Sequence, residues 1–172
     1  MIKNKYHYIY KFSKSIFMFV FLFFIINFQT SLSFFSMFKT STPSLISITI
    51  YLCIVRLNIS PSNIILFLTG FLHDILNGNN LGINSIFFLL LKYLTEGIVL
   101  DKIHKKNQDE WVYFTMIFTL VFSIAYLLNL IINLSVPQLS PGFFHVGVTL
   151  ILFPIINFGI NIFSFVTRLI KS

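Results

Sequence analysis

The feature that most limits how this chain can fold is a train of apolar runs that repeats from Ile16 to Ile170, broken only by short polar stretches. A soluble domain needs a polar shell, and the chain lacks the residues to build one. Of its 172 residues 56% are hydrophobic and 10% charged, where a soluble domain carries roughly 25% charged. The mean hydropathy of +0.88 points the same way. The pattern implies an all-α, polytopic membrane bundle. No linker or appendage is long enough to fold separately, so residues 1–172 read as one membrane domain.

The polar breaks divide the chain into six expected spans, at about 15–35, 44–57, 61–76, 82–100, 111–134 and 143–168. Pro43 opens the second, and Arg56, Asn58 and Pro61 end it. Ser60 and Pro61 then read as the cap and first residue of the third. Asn77-Gly78-Asn79-Asn80 is a turn, Asp101–Glu110 is the longest hydrophilic loop, and Pro137, Pro141 and Gly142 break the chain before the last span. Spans two and three are short, reaching only about 21 and 24 Å against a hydrocarbon core of about 30 Å. They fit either a re-entrant pair or full spans in a thinned bilayer.

Charge orients these spans. With the N-terminus in the cytoplasm, Lys3, Lys5, Lys11, Lys14, Arg56, Lys102, Lys105, Lys106, Arg168 and Lys171 all fall on the inner side. Lys39 alone lies in an outer loop, and Lys92 lies within a span. The basic start before Ile16–Phe28 imitates a signal peptide. However, the apolar stretch runs on to Phe35 with no small-residue cleavage site, so it is expected to stay as an uncleaved first span. The net charge of +7 sits beside apolar spans. That placement suits anionic lipid headgroups and not nucleic acid. The 23 Phe residues and the frequent Asn and Ile are accounted for by an AT-rich genome. Cys53 is the single cysteine and offers neither a disulfide nor a metal-ligand spacing.

Polar residues inside the spans are the informative anomalies. A charge at mid-membrane costs about 2.5–3.5 kcal/mol on insertion scales. Asp74 lies near the outer end of span three and Lys92 nearer the middle of span four. Lys92 can snorkel outward toward Asp74 or pair with Glu96, four residues on along the same helix face. Such residues either seal the bundle or line a proton or substrate path, and sealing is the favoured reading. His73 beside Asp74 has no second ligand at helical spacing, so no metal site is expected. Asn129 with Asn133, and Asn157 with Asn161, stand at i,i+4 on spans five and six and can hydrogen-bond across helices. Pro154 should kink the last span, and Gly159 and Gly70 would let neighbouring helices approach closely. The sequence carries no nucleophile elbow, metalloprotease motif, Walker loop or dinucleotide fingerprint. The expectation is therefore a protein that is not an enzyme and needs no cofactor. Asp109-Glu110 reads as a solvated pair in the charged loop.

The most distinctive segment runs from Leu68 to Ser85. It places Gly70, Asp74, Gly78, Leu81 and Gly82 in the pattern G-x-x-x-D-h-h-x-G-x-x-h-G, where h is apolar. This closely resembles the signature of the MreD family of bacterial rod shape-determining membrane proteins. A basic N-terminus, a Pro43-headed second span, a basic loop after span four and a proline in a last span with a basic end agree in order. His73 stands where that family usually has an apolar residue. In physical terms, Gly78 and Gly82 suit a tight turn between helices, and Asp74 can accept hydrogen bonds from the turn or from the N-terminus of span four.

The resemblance implies a bacterial inner-membrane scaffold or regulator of cell-wall elongation. Its partner would be an MreC-like membrane protein. Indirect partners would be MreB, RodA and a class B penicillin-binding transpeptidase. It also implies a fold similar to the six-helix substrate-binding subunits of energy-coupling-factor transporters. That fold supplies the alternative, a vitamin-type substrate-binding component with an outward polar pocket lined by Asp74, Lys92, Asn84 and the Asn pairs.

Overall fold

The computed structural model describes the backbone at residues 2–35, 38, 42–57, 59–78, 80–99, 110–133 and 139–171. It describes the side chains at 15–35, 38, 42–57, 59–78, 80–98, 110–133 and 140–159. Among these residues the chain is all-helical. Helix α1 spans Ile2–Leu32, α2 Leu45–Val55, α3 Asn63–Asn77, and α4 Ile83–Leu94 with a π-helical extension over Thr95–Val99. Helix α5 spans Glu110–Asn133 and α6 Leu139–Lys171. Three segments are long and apolar enough to cross a membrane: Ser15–Leu32 of α1, the whole of α5, and Ser140–Gly159 of α6.

Consecutive helices reverse direction, so the bundle has two ends. The C-terminal ends of α1, α3 and α5 meet the N-terminal ends of α2, α4 and α6 at one of them. There Gln29 of α1 bonds His73 of α3 and Ile46 of α2, and Asn80 bonds Asn129 of α5. At the other end, Arg56 at the close of α2 meets Glu110 at the start of α5.

Helix α2 is the centre of the core. It is apolar around its whole circumference, the mark of a helix surrounded on all sides. None of its residues is exposed, and Ile46, Ile48, Ile50 and Tyr51 are fully buried. It packs on α1, α4 and α6. Its 11 residues reach only about 16 Å, short of a hydrocarbon core of about 30 Å.

An aromatic stack continues the core. Phe114 lies parallel to Phe153 with centroids 4.4 Å apart, Tyr51 meets both edge-on, and Phe118 links Phe114 to Phe87 and Phe122. The abundant phenylalanines thus divide into two sets. Phe17, Phe24, Phe28, Phe143 and Phe158 face outward, where apolar bulk alone suffices. Phe87, Phe88, Phe114, Phe118 and Phe153 build the interior.

Several boundaries differ from the sequence expectations. Helix α1 runs back to Ile2, but its apolar segment opens at Ser15, where the first span was expected to begin, and ends at Leu32 instead of Phe35. The N-cap of α3 is Ser62, not Ser60, whose hydroxyl donates to the Glu96 carboxylate. Pro141 and Gly142 do not break the chain before the last helix but lie in the first turn of α6. A first-turn N–H has no intrahelical partner, so proline is tolerated there. Pro154 sits inside α6.

Candidate functional site

Helices α3 and α4 make the most extensive pairing in the molecule, and one glycine permits it. A Cβ built on Gly70 would fall inside the Ser85 backbone and within 2.7 Å of the Asn84 carbonyl carbon. The two helices therefore meet main chain to main chain. The Ser85 hydroxyl adds a bond to the Phe67 carbonyl at 2.9 Å. Gly159 is different: nothing stands within 4 Å of a Cβ there, so it is not a contact glycine among the described residues.

The chain reverses between α3 and α4 through two left-handed residues, Gly78 at φ 64° and Gly82 at φ 96°. Only glycine takes these angles without a Cβ penalty. Gly78 closes α3, its N–H directed to the Asp74 and Ile75 carbonyls, and Gly82 caps the start of α4. Asp74 is fully buried beneath this turn. Its Oδ2 accepts from the Gly82 N–H at 2.8 Å and the Asn84 N–H at 3.3 Å, and its Oδ1 accepts from the Asn84 amide at 2.5 Å. One carboxylate thus satisfies N–H groups that the start of α4 leaves free, where the helix dipole favours negative charge. Leu81, at the apex, is exposed.

Asn80 ties the turn to α5. Its amide donates to Asn129 Oδ1 at 3.0 Å and Asn133 Oδ1 at 2.9 Å, and the Asn133 amide donates to Asn129 Oδ1 at 2.5 Å. The i,i+4 asparagines of α5 therefore act as one clasp. Asn157 lies at the opposite end of the bundle, 3.5 Å from Glu110 Oε2, with its own Oδ1 buried and unpartnered. The side chain of Asn161 lies outside the described residues.

Lys92 does not reach Asp74. Its Nζ bonds Asn63 Oδ1 at 2.6 Å and lies 3.9 Å from Glu96 Oε1. Asn63 is the first residue of α3, about 16 Å along the helix from Asp74. The reason is distance: Lys92 lies in the last turn of α4, about 15 Å along the helix from the turn that holds Asp74, and stands beside Asn63 and Glu96 at the other end. There Glu110 is also no solvated loop residue. Its carboxylate meets Arg56 at 2.8 Å, and its carbonyl accepts from the Tyr51 hydroxyl at 3.0 Å. Asp109 lies outside the described residues.

A cavity of about 430 Å³ opens among α1, α3, α4, α5 and α6 at the Asp74 end. Its polar lining includes Gln29, Asn77, Asn84, Asn129, His73 and His145, and Phe87, Phe88 and Phe122 are among its apolar lining. Of the described residues expected to line a pocket, Asn84 and Asn129 line this cavity, and Lys92 lines a separate one with Asn63 and Glu96. Asp74 is sealed behind the turn, and Lys92 and Asn157 belong to the far end.

The hydrogen-bond directions in this cavity can be worked out. The Ile46 N–H can only donate, so Gln29 Oε1 accepts from it at 3.2 Å. The Gln29 amide nitrogen must then donate to His73 Nε2, at 3.0 Å. A neutral His73 accordingly carries its proton on Nδ1, which is buried without a partner. A buried orphan of this kind costs about 1–3 kcal/mol. His145 donates from Nδ1 to the Thr42 carbonyl at 2.5 Å, which leaves its Nε2 as an acceptor. Its ring stacks on Phe122, with centroids 5.5 Å apart.

Sequence reasoning missed Gln29 and His145. Both sit in apolar runs and gain their meaning from residues 44 and 103 positions away. Among the described residues no group of three or more His, Cys, Asp or Glu could hold a metal. No family model matches the chain, and neither the curated proteins nor the solved structures contain a match to it.

Proposed function

We propose that this chain is a non-enzymatic scaffold or regulator of the bacterial cell-wall elongation machinery. In this reading it crosses the inner membrane six times, keeps both termini in the cytoplasm, and works with an MreC-like partner to maintain rod shape. The Asp74 end then faces outward and the Arg56–Glu110 end inward, toward anionic headgroups. The observation that carries the reading is the α3–α4 hairpin. Each of Gly70, Asp74, Gly78 and Gly82, the polar and glycine positions of the MreD-like motif, has a distinct geometric task in it. A motif whose spacing is used throughout supports membership better than hydrophobicity does, since many unrelated bundles share the latter.

Expression in round cells that lack their own MreD-type protein tests this directly. Restored rods, with co-purification of an MreC-like protein, are the expected result. Round cells despite normal abundance of the chain in the membrane would reject the proposal. The cavity favours a second reading, a substrate-binding component of a transporter. For that, an energy-coupling ATPase should co-purify in place of the MreC-like protein.

A further inference from the structure

We propose that the groove along α4 from Ile86 to Glu96 is a binding site for one phospholipid whose headgroup joins a phosphate to a primary ammonium, as in phosphatidylethanolamine. The site requires only that the chain lies in a bilayer, so it goes beyond both the scaffold and the transporter readings. The groove has a volume of about 430 Å³, and its charged part lies at the end of the bundle opposite Asp74. That is room for a headgroup and the upper part of one chain, with the rest of the lipid in the bilayer.

Three observations define the occupant. The groove is amphiphilic along its length, about 15 Å of helix. Lys92, Glu96 and Asn63 line one end, and away from it the lining turns apolar with Leu90, Leu89 and Ile86. Ile86 is exposed, and so beside the charges is Tyr93, an aromatic of the kind enriched at headgroup level. The charges themselves are accessible and of both signs. The side chains of Lys92 and Glu96 keep 14% and 34% of their surface, with Nζ and Oε1 3.9 Å apart. Lys92 donates to Asn63 Oδ1 at 2.6 Å and Glu96 accepts from the Ser60 hydroxyl, which still leaves N–H and carboxylate positions to share. A phosphate beside an ammonium complements a cation beside an anion, whereas a purely anionic head would meet the Glu96 carboxylate. Lastly, the hairpin is short. The 15 residues of α3 reach about 22 Å, roughly 8 Å less than a typical hydrocarbon core. With the Asp74 turn at one interface, Lys92 and Glu96 stop below the other, where charge is costly. A headgroup drawn into the groove supplies polar partners at that depth and relieves the mismatch.

The test is native mass spectrometry of the full chain in detergent, titrated with dioleoyl phosphatidylethanolamine, phosphatidylcholine or phosphatidylglycerol. One phosphatidylethanolamine per chain should be retained, roughly fivefold tighter than either other lipid, because choline lacks N–H donors and the glycerol head lacks the cation. Glu96→Gln keeps the shape of the side chain and an acceptor for Ser60, and should erase that preference. Lys92→Met should weaken retention of all three lipids, since each carries the phosphate. If one variant fails to fold, the other carries the comparison. Phosphatidylcholine or phosphatidylglycerol retained by the parent as well as phosphatidylethanolamine, or no saturable retention of any lipid, overturns the proposal. So does a preference that persists in folded Glu96→Gln, or binding that folded Lys92→Met leaves intact. Cell-shape rescue by the parent chain is scored separately, so failure of the scaffold reading and failure of this site remain distinguishable.

Discussion

The two ends of the bundle solve the same problem in different ways. At the Asp74 end a single buried carboxylate serves the backbone. It accepts from Gly82 and Asn84, while asparagine amides clasp the turn to α5. At the Glu110 end charges serve each other, Arg56 with Glu110 and Lys92 with Glu96. Main-chain capture is directional and nearly saturates Asp74, and a polar cavity lies beside the hairpin. Paired charges on long side chains tolerate small displacements and contact with water. Arg56 remains about a third exposed, which suits an end that meets a water interface.

The contrast can be broken most severely at Gly70. Gly70→Ala puts a methyl group into the Ser85 backbone, and overpacking of this kind costs about 3 kcal/mol or more when neither main chain can yield. Purified Gly70→Ala should be recovered poorly and melt early. Gly159→Ala, with no described atom within 4 Å of the added methyl group, should be at least as stable as the parent, because alanine is the better helix former. Equal behaviour of the two variants would remove the close α3–α4 contact from the account.

Next in size is Asp74→Ala, which strands the Gly82 and Asn84 N–H groups at a cost of about 1–3 kcal/mol. The expected consequence is lower abundance in membranes, visible on an immunoblot. Normal abundance with lost function would instead give Asp74 a contact role. At the opposite end, removing Arg56 or Glu110 should cost less, about 1 kcal/mol, because solvent already screens the arginine. A double-mutant cycle on melting temperature would show whether the pair is coupled at all. Comparable in size is Asn80→Ala, which loses two amide bonds to α5 worth about 0.6 kcal/mol each. Its melting curve should shift only slightly, and a shift as large as that of Asp74→Ala would mean the clasp, not the carboxylate, holds the turn.

The two ends also differ in how far they could be read from sequence. The partners of Asp74 lie eight and ten residues along the chain, so a turn with glycines at fixed offsets announces them. Arg56 and Glu110 are 54 residues apart, and nothing local distinguishes Glu110 from the neighbouring loop charges. Lys92 shows the limit well. Sequence left it two directions, and the choice followed from its place in the last turn of α4, beside the start of α3. Gly70 and Gly159 looked alike as small residues on apolar helices, yet among the described residues only Gly70 faces a neighbouring backbone.

The amino-acid sequence by itself determined that the chain is helical and apolar enough for a membrane, and where α3 turns into α4. Periodicity, glycine and proline act within a few residues, and no distant partner is needed to interpret them. Tertiary structure alone decided that α2 is enclosed on every side, that Gln29 and His145 meet one cavity, and that Glu110 is paired. Burial and hydrogen-bond direction depend on which faces pack together, and that is set by contacts between residues far apart in the chain.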